Sequence, residues 1–234
     1  MSEVLIYLFA DLIAKYIFKL KWKEAILIGM AASFSNHILF VYPIALTEYG
    51  NNLLTHIISI ISFDVIFLVL NIVILDLITI KNLTLKKMIV KQFNNLPLIG
   101  VIIGIIIVYF GINLPISVNR SINFISLSAA PCALFAAGII LTQKIEKTQK
   151  QISNLIIIFK IILHPLFTIF IIWKINNIDF NISETTIMVA SDPVGLMALI
   201  FSSQYGVKPD TITGAILITT IMSIVTIPLS GSLS

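Results

Sequence analysis

Two apolar segments of this chain are each interrupted by a proline and close on the same kind of ending. Thr47-Glu48-Tyr49-Gly50 follows Pro43, and Ser203-Gln204-Tyr205-Gly206 follows Pro193, about 156 positions apart. Charged residues make up 11% of the sequence and hydrophobic residues 58%, with a mean hydropathy of +1.05. Soluble proteins carry about 25% charged residues, so these segments read as spans of a lipid bilayer. At membrane depth a broken helix is tolerated only where protein or a water-lined cavity satisfies the freed backbone groups. A pair of breaks at corresponding points is how secondary transporters build a polar site there. The repeat therefore predicts an all-α polytopic bundle with two broken helices, and points to transport.

With roughly 20 apolar residues per span, the 234 residues hold about eight helices and leave no stretch for a soluble domain. Hydropathy predicts them at about 4–20, 25–47, 53–78, 96–114, 121–142, 152–173, 184–204 and 211–230. The first is the weakest, because Asp11 and Lys15 stand at i,i+4 spacing, suited to facing protein or to snorkelling at an interface. Lys19, Lys21 and Lys23, then Lys81, Lys86, Lys87 and Lys91, then Lys144, Lys147 and Lys150, then Lys208 fall in alternate loops. By the positive-inside rule that side is cytoplasmic and both termini lie outside, in the cell (inner) membrane. The same rule accounts for the net charge of +4, so no nucleic acid is expected. The N-terminus lacks the basic start of a cleaved signal. The lone Cys132, beside Pro131, forms no internal disulfide and reads as a buried packing residue.

The Tyr-Gly endings close the second and seventh predicted helices. An offset of five spans sets the two copies in opposite directions, the arrangement of an inverted five-helix repeat. Ten helices would complete that repeat, so the first unit reads as truncated by two. The expected organisation is a single transmembrane transporter domain over 1–234: the remainder of the first repeat at 1–80, a cytoplasmic linker at 81–95 and the second repeat at 96–234.

In the second predicted helix, small and hydroxyl residues lead into Asn36 and Pro43. The segment is either a polar pocket opened by the missing proline amide or an ordinary kink with Asn36 bonded across an interface. In the seventh, Ser191-Asp192-Pro193 places a carboxylate inside an apolar run, where ionisation costs about 2.5–3.5 kcal/mol. It is a functional-site signal and equally a cap for a restarting half-helix. Asp64 and Lys160 are further ionisable groups inside predicted spans, with no sequence rule pairing them. His164-Pro165 reads as a kink, His37 draws interest only from adjoining Asn36, and His56 is expected at the interface. The stretch Ser128–Gly138 around Pro131 reads as a tightly packed helix crossing.

Three motifs carry a resemblance. Ser35-Asn36 with proline seven positions after the asparagine, Ala129-Ala130-Pro131 leading to Leu134-Phe135 and Gly138, and Tyr205-Gly206 followed by Thr219-Thr220 through Pro228 resemble the auxin efflux carrier family of membrane permeases. The resemblance implies that the second and seventh helices are a crossing pair, with Asn36, Pro43 and Pro193 at crossover positions; the substrate is expected at Asn36, Pro43, Ser191 and Pro193, with Asn36 donating to its carboxylate. It also implies a small organic anion, such as malate or malonate, as substrate. Asp192 is the expected coupling-ion site, from burial and not from a family motif. The expected function is a permease working by alternating access, not an enzyme, since no hydrolase or zinc-protease motif is present. The alternative is a non-transporting remnant or assembly subunit. Expected partners are the organic anion and the lipid bilayer, with a homodimer as an option; no cofactor and no metal are expected.

Overall fold

A computed structural model describes residues 1–37, 40–41, 54–79, 96–140, 147–174 and 180–232. Among these the regular elements are helices, and three are long and apolar enough to cross a bilayer: His56–Thr79, Gln149–Lys174 and Asp210–Ser230. Helix α1 (Ser2–Tyr16) carries Glu3 in its first turn and Lys15 in its last, each complementing the helix dipole. It stops where Lys19 turns left-handed (φ 54°) and the Leu20 N–H reaches back to the Ala14 carbonyl at 3.2 Å. Lys15 snorkels, donating to the Leu20 carbonyl at 3.1 Å over the Trp22 ring, while Asp11 turns inward and is buried.

Helix α2 (Trp22–Ser33) is the central element, buried at every position from Ala25 to Ser33. Glu24 starts it by accepting the Lys21 N–H at 3.0 Å. Helix association in lipid runs on close packing more than on hydrophobicity, so small residues decide who touches whom. Gly29 is the contact with α1, where an added Cβ would lie 3.0 Å from the Tyr7 carbonyl oxygen. Ala10 and Ala14 of α1 and Ala25, Ala31 and Ala32 of α2 are all fully buried.

Helix α3 (Leu54–Thr79) buries Ile57, Asp64, Leu68, Asn71, Ile72, Leu75 and Asp76, while Ile58, Ile66, Leu70 and Leu77 face outward. Helix α4 (Leu96–Tyr109) ends at Gly111 (φ 60°), and Pro115 opens α5 (Ile116–Ile140) by accepting the Val118 and Asn119 amides. This pair is the outlier of the fold. Ile105, Val108, Phe124, Leu127 and Phe135 are exposed, and α5 packs on the last helix of the bundle. Pro131 and Cys132 are exposed as well, so at these positions the expected packed crossing is replaced by an outward apolar face.

Helices α6 (Lys147–Ile157) and α7 (His164–Lys174) are joined through one π-helical turn, Ile158–Leu163. The cause is local. Pro165 has no amide for the Ile161 carbonyl, and the His164 N–H bonds Phe159, five residues back, so the ladder absorbs one extra residue. Helix α8 (Phe180–Ala190) breaks, and α9 (Met197–Gln204) resumes after six residues, ending at Tyr205 and left-handed Gly206 (φ 63°). Helix α10 (Asp210–Ser232) closes the bundle. The core lies among α1, α2, α3, α6, α9 and α10, with Tyr7, Ala31, Ile72, Ile156, Phe201 and Ile216 within it.

Candidate functional site

Helix α2 stops at Ser33, and Phe34 is extended (φ −65°, ψ 137°). Across from it, Ser191–Leu196 is unwound between α8 and α9. The two stretches meet as an antiparallel pair: the Gly195 N–H donates to the Phe34 carbonyl at 2.9 Å, and the Asn36 N–H to the Pro193 carbonyl at 3.2 Å, bridging Ser35 to Val194. Only glycine fits at position 195, because a Cβ there would lie 2.9 Å from the Ser35 carbonyl oxygen. Helix α10 meets two further backbone groups of the second break. Thr219 Oγ1 accepts the Val194 N–H at 3.1 Å, and Thr226 Oγ1 donates to the Ser191 carbonyl at 3.0 Å, one heptad apart on one helix face.

A buried charge network adjoins this crossing. His37, in the first break, points Nε2 at Asp64 Oδ2 of α3 (2.5 Å) and Nδ1 at Asp192 Oδ2 in the second break (3.4 Å). Both ring nitrogens thus face carboxylates. Lys160, in the π turn, is fully buried and donates to Ser35 Oγ, to the Ser33 carbonyl (3.3 Å) and to His164 Nδ1 (3.0 Å). Ser35 Oγ in turn donates a hydrogen bond to the Val189 carbonyl at 3.2 Å. Asp192 is 0% exposed, and its carboxylate faces His37 Nδ1 from inside the second break. A cavity of about 290 Å³ opens beside the network, lined by Glu3, Ser35, His37, Ser59, His164, Thr168 and Thr186 among others.

The expected site residues divide accordingly. Asn36 and Pro193 give their backbones to the crossing, and Asp192 lies at its centre. Ser191 spends its hydroxyl on the Ile187 carbonyl at 2.9 Å. Neither Asn36 nor Ser191 lines the cavity. Pro43, like Thr47–Gly50, lies outside the described residues. Sequence reasoning undervalued His37, Asp64, Lys160 and His164, which the fold brings together from three separate elements. The readable signal was Lys160 and His164 at i,i+4 spacing inside an apolar run, one face carrying two ionisable groups. His56, expected at the interface, turns inward to Thr186 Oγ1 of α8 at 2.9 Å.

Comparison with known proteins gives a consistent account. The family model described as "Membrane transport protein" matches residues 2–230. A Rhizobium meliloti (strain 1021) protein named for malonate transport is 29% identical over 124 residues, 53% of this chain and 39% of that protein. An uncharacterized transporter of Methanocaldococcus jannaschii is 27% identical over 232 residues, 95% of this chain and 72% of its own length.

Proposed function

This chain belongs to the membrane transport protein family, the auxin efflux carrier type, and is an integral membrane protein; from that premise we propose that it is a secondary carrier for a small organic anion such as a carboxylate, working by alternating access. The observation that carries the reading is the pairing of two unwound segments inside the bundle, one at the end of α2 and the other between α8 and α9. Their antiparallel register and five-span offset support an inverted repeat, with 1–80 and 96–234 as its two units around an 81–95 linker. The cavity of about 290 Å³ is at the small end of ligand pockets, which run from about 300 Å³ upward, and suits a metabolite of a few carbons. The relative named for malonate favours a short dicarboxylate.

The charges beside the cavity constrain how such an anion enters. Two cationic groups, Lys160 and His37, face three carboxyl groups, Glu3, Asp64 and Asp192. A carboxylate entering beside these carboxyl groups is held best when protons come with it, and His37–Asp192 is placed to take one at the crossing itself. Reconstitution in proteoliposomes with a panel of radiolabelled mono- and dicarboxylates tests this. Saturable uptake stimulated by an inward proton gradient is expected, with the gradient dependence lost in Asp192→Asn. A folded protein that moves none of the panel would favour the alternative of a non-transporting assembly subunit. Unchanged pH dependence in Asp192→Asn would remove the coupling role.

A further inference from the structure

Among the described residues Lys160 is the largest fully buried side chain, and its surroundings are unusual. Ser33, whose carbonyl it meets at 3.3 Å, is the last residue of α2. Ser35, its second partner, donates a hydrogen bond to the Val189 carbonyl at the end of α8. One ammonium is therefore coordinated by two half-helix C-termini, one directly and one through a hydroxyl. Each C-terminus carries about half a negative charge, so two converging ends sum to about the charge a single cation cancels. The π turn, a feature that recurs at functional sites, is what carries this side chain to the crossing. In carriers with broken helices, unwound carbonyls and half-helix C-termini are the groups that hold a coupling Na⁺ or proton.

We infer that Lys160 is a tethered cation occupying the position a coupling metal ion would take, so that this protein binds no Na⁺ at the crossing and uses protons as its co-ion. The inference rests on the carrier reading above and deepens it. The charged and titratable groups facing Lys160 are Asp192 from the second break, Glu3 from α1, Asp64 from α3, and His37 and His164 beside it. Exchange of protons among them requires no metal.

The test is thermal unfolding of the purified chain in detergent with sodium, lithium, potassium or choline chloride at matched ionic strength, alongside ²²Na⁺ binding. Wild-type protein is expected to unfold at one temperature in all four salts and to bind no ²²Na⁺; a saturable sodium-specific rise overturns the inference whatever any variant does. Lys160→Gln empties the position while keeping its polarity. It is expected to unfold earlier, and to regain roughly 3–5 °C when sodium or lithium is present at about ten times its dissociation constant. A folded Lys160→Gln indifferent to every cation also overturns it. Should that variant not fold, the wild-type measurements alone decide, and saturable ²²Na⁺ binding there overturns the inference. Because none of these readouts needs transport, an empty anion panel would sink the carrier reading alone, while sodium-driven uptake would sink this inference and leave the carrier reading standing.

Discussion

Over its described residues, Phe34–His37, the first break contains no proline, and the groups that hold it there come from elsewhere in the chain: Gly195 takes the Phe34 carbonyl, Pro193 takes the Asn36 amide, and Lys160 takes the Ser33 carbonyl. The second, Ser191–Leu196, has Pro193 within it, Asp192 beside it, and two threonines of α10 spaced to serve it. One unwinding is imposed by tertiary partners and the other is written locally as well. The difference teaches that a crossing needs one self-declared break, against which the end of a second helix can be held open.

The sharpest way to break this asymmetry is to remove the charge that ties the two sides. His37→Leu leaves Asp64 and Asp192 buried without their shared cation. Removing one partner of a buried charged set costs about 3–5 kcal/mol. A large fall in the unfolding temperature in detergent and loss of anion uptake are expected; a variant as stable as wild type would mean the network bears no part of the crossing.

Next in size is Gly195→Ala. Its Cβ would press on the Ser35 carbonyl oxygen at 2.9 Å, backbone against backbone, where overpacking costs about 1–3 kcal/mol. Since the first break is the imposed one, it should be the side that yields. Hydrogen exchange at Phe34–His37 is expected to quicken more than at α9. Equal protection on both sides would mean that the two breaks are held in the same way.

Thr219→Val keeps shape and deletes one hydroxyl, leaving the Val194 N–H without the oxygen it meets at 3.1 Å. Polar contacts between membrane helices are worth about 1 kcal/mol. A small loss of stability is expected, confined to the second break; an effect as large as that of Gly195→Ala would shift the weight of the crossing onto α10.

These contrasts also mark what the sequence could reveal. Helix positions were legible because a span must be apolar over its length, and the second break was legible because Pro193 and Asp192 violate that rule in place. The first break was sought between Asn36 and Pro43, yet it opens at Phe34, since what frees those carbonyls is Gly195 and Lys160, more than 120 residues away. The network was hidden for the same reason: His37, Asp64, Lys160 and Asp192 sit on four segments with no shared spacing. The Tyr-Gly ending that first drew the eye is structural. Gly206 supplies a left-handed stop, and the Tyr205 hydroxyl donates to Asp76 Oδ1 of α3 at 2.7 Å, away from the cavity.

The smallest expected effect separates the two causes most cleanly. Pro193→Ala restores an amide inside the second break while keeping the carbonyl that accepts from Asn36. If proline made the break, α8 and α9 would fuse. The helical partner of the new amide would be the Val189 carbonyl, but that oxygen already accepts from Ser35, and Thr219 and Thr226 hold the groups on either side. Fusion would also part Gly195 from Phe34 and expose Asp192 to an unbroken apolar helix. The break should therefore survive. Loss of about 0.4–1 kcal/mol is expected, the entropy the proline ring withheld from the unfolded chain, with uptake retained and helical content by circular dichroism unchanged. A gain of helix with loss of uptake would show that the proline, and not its partners, splits the segment.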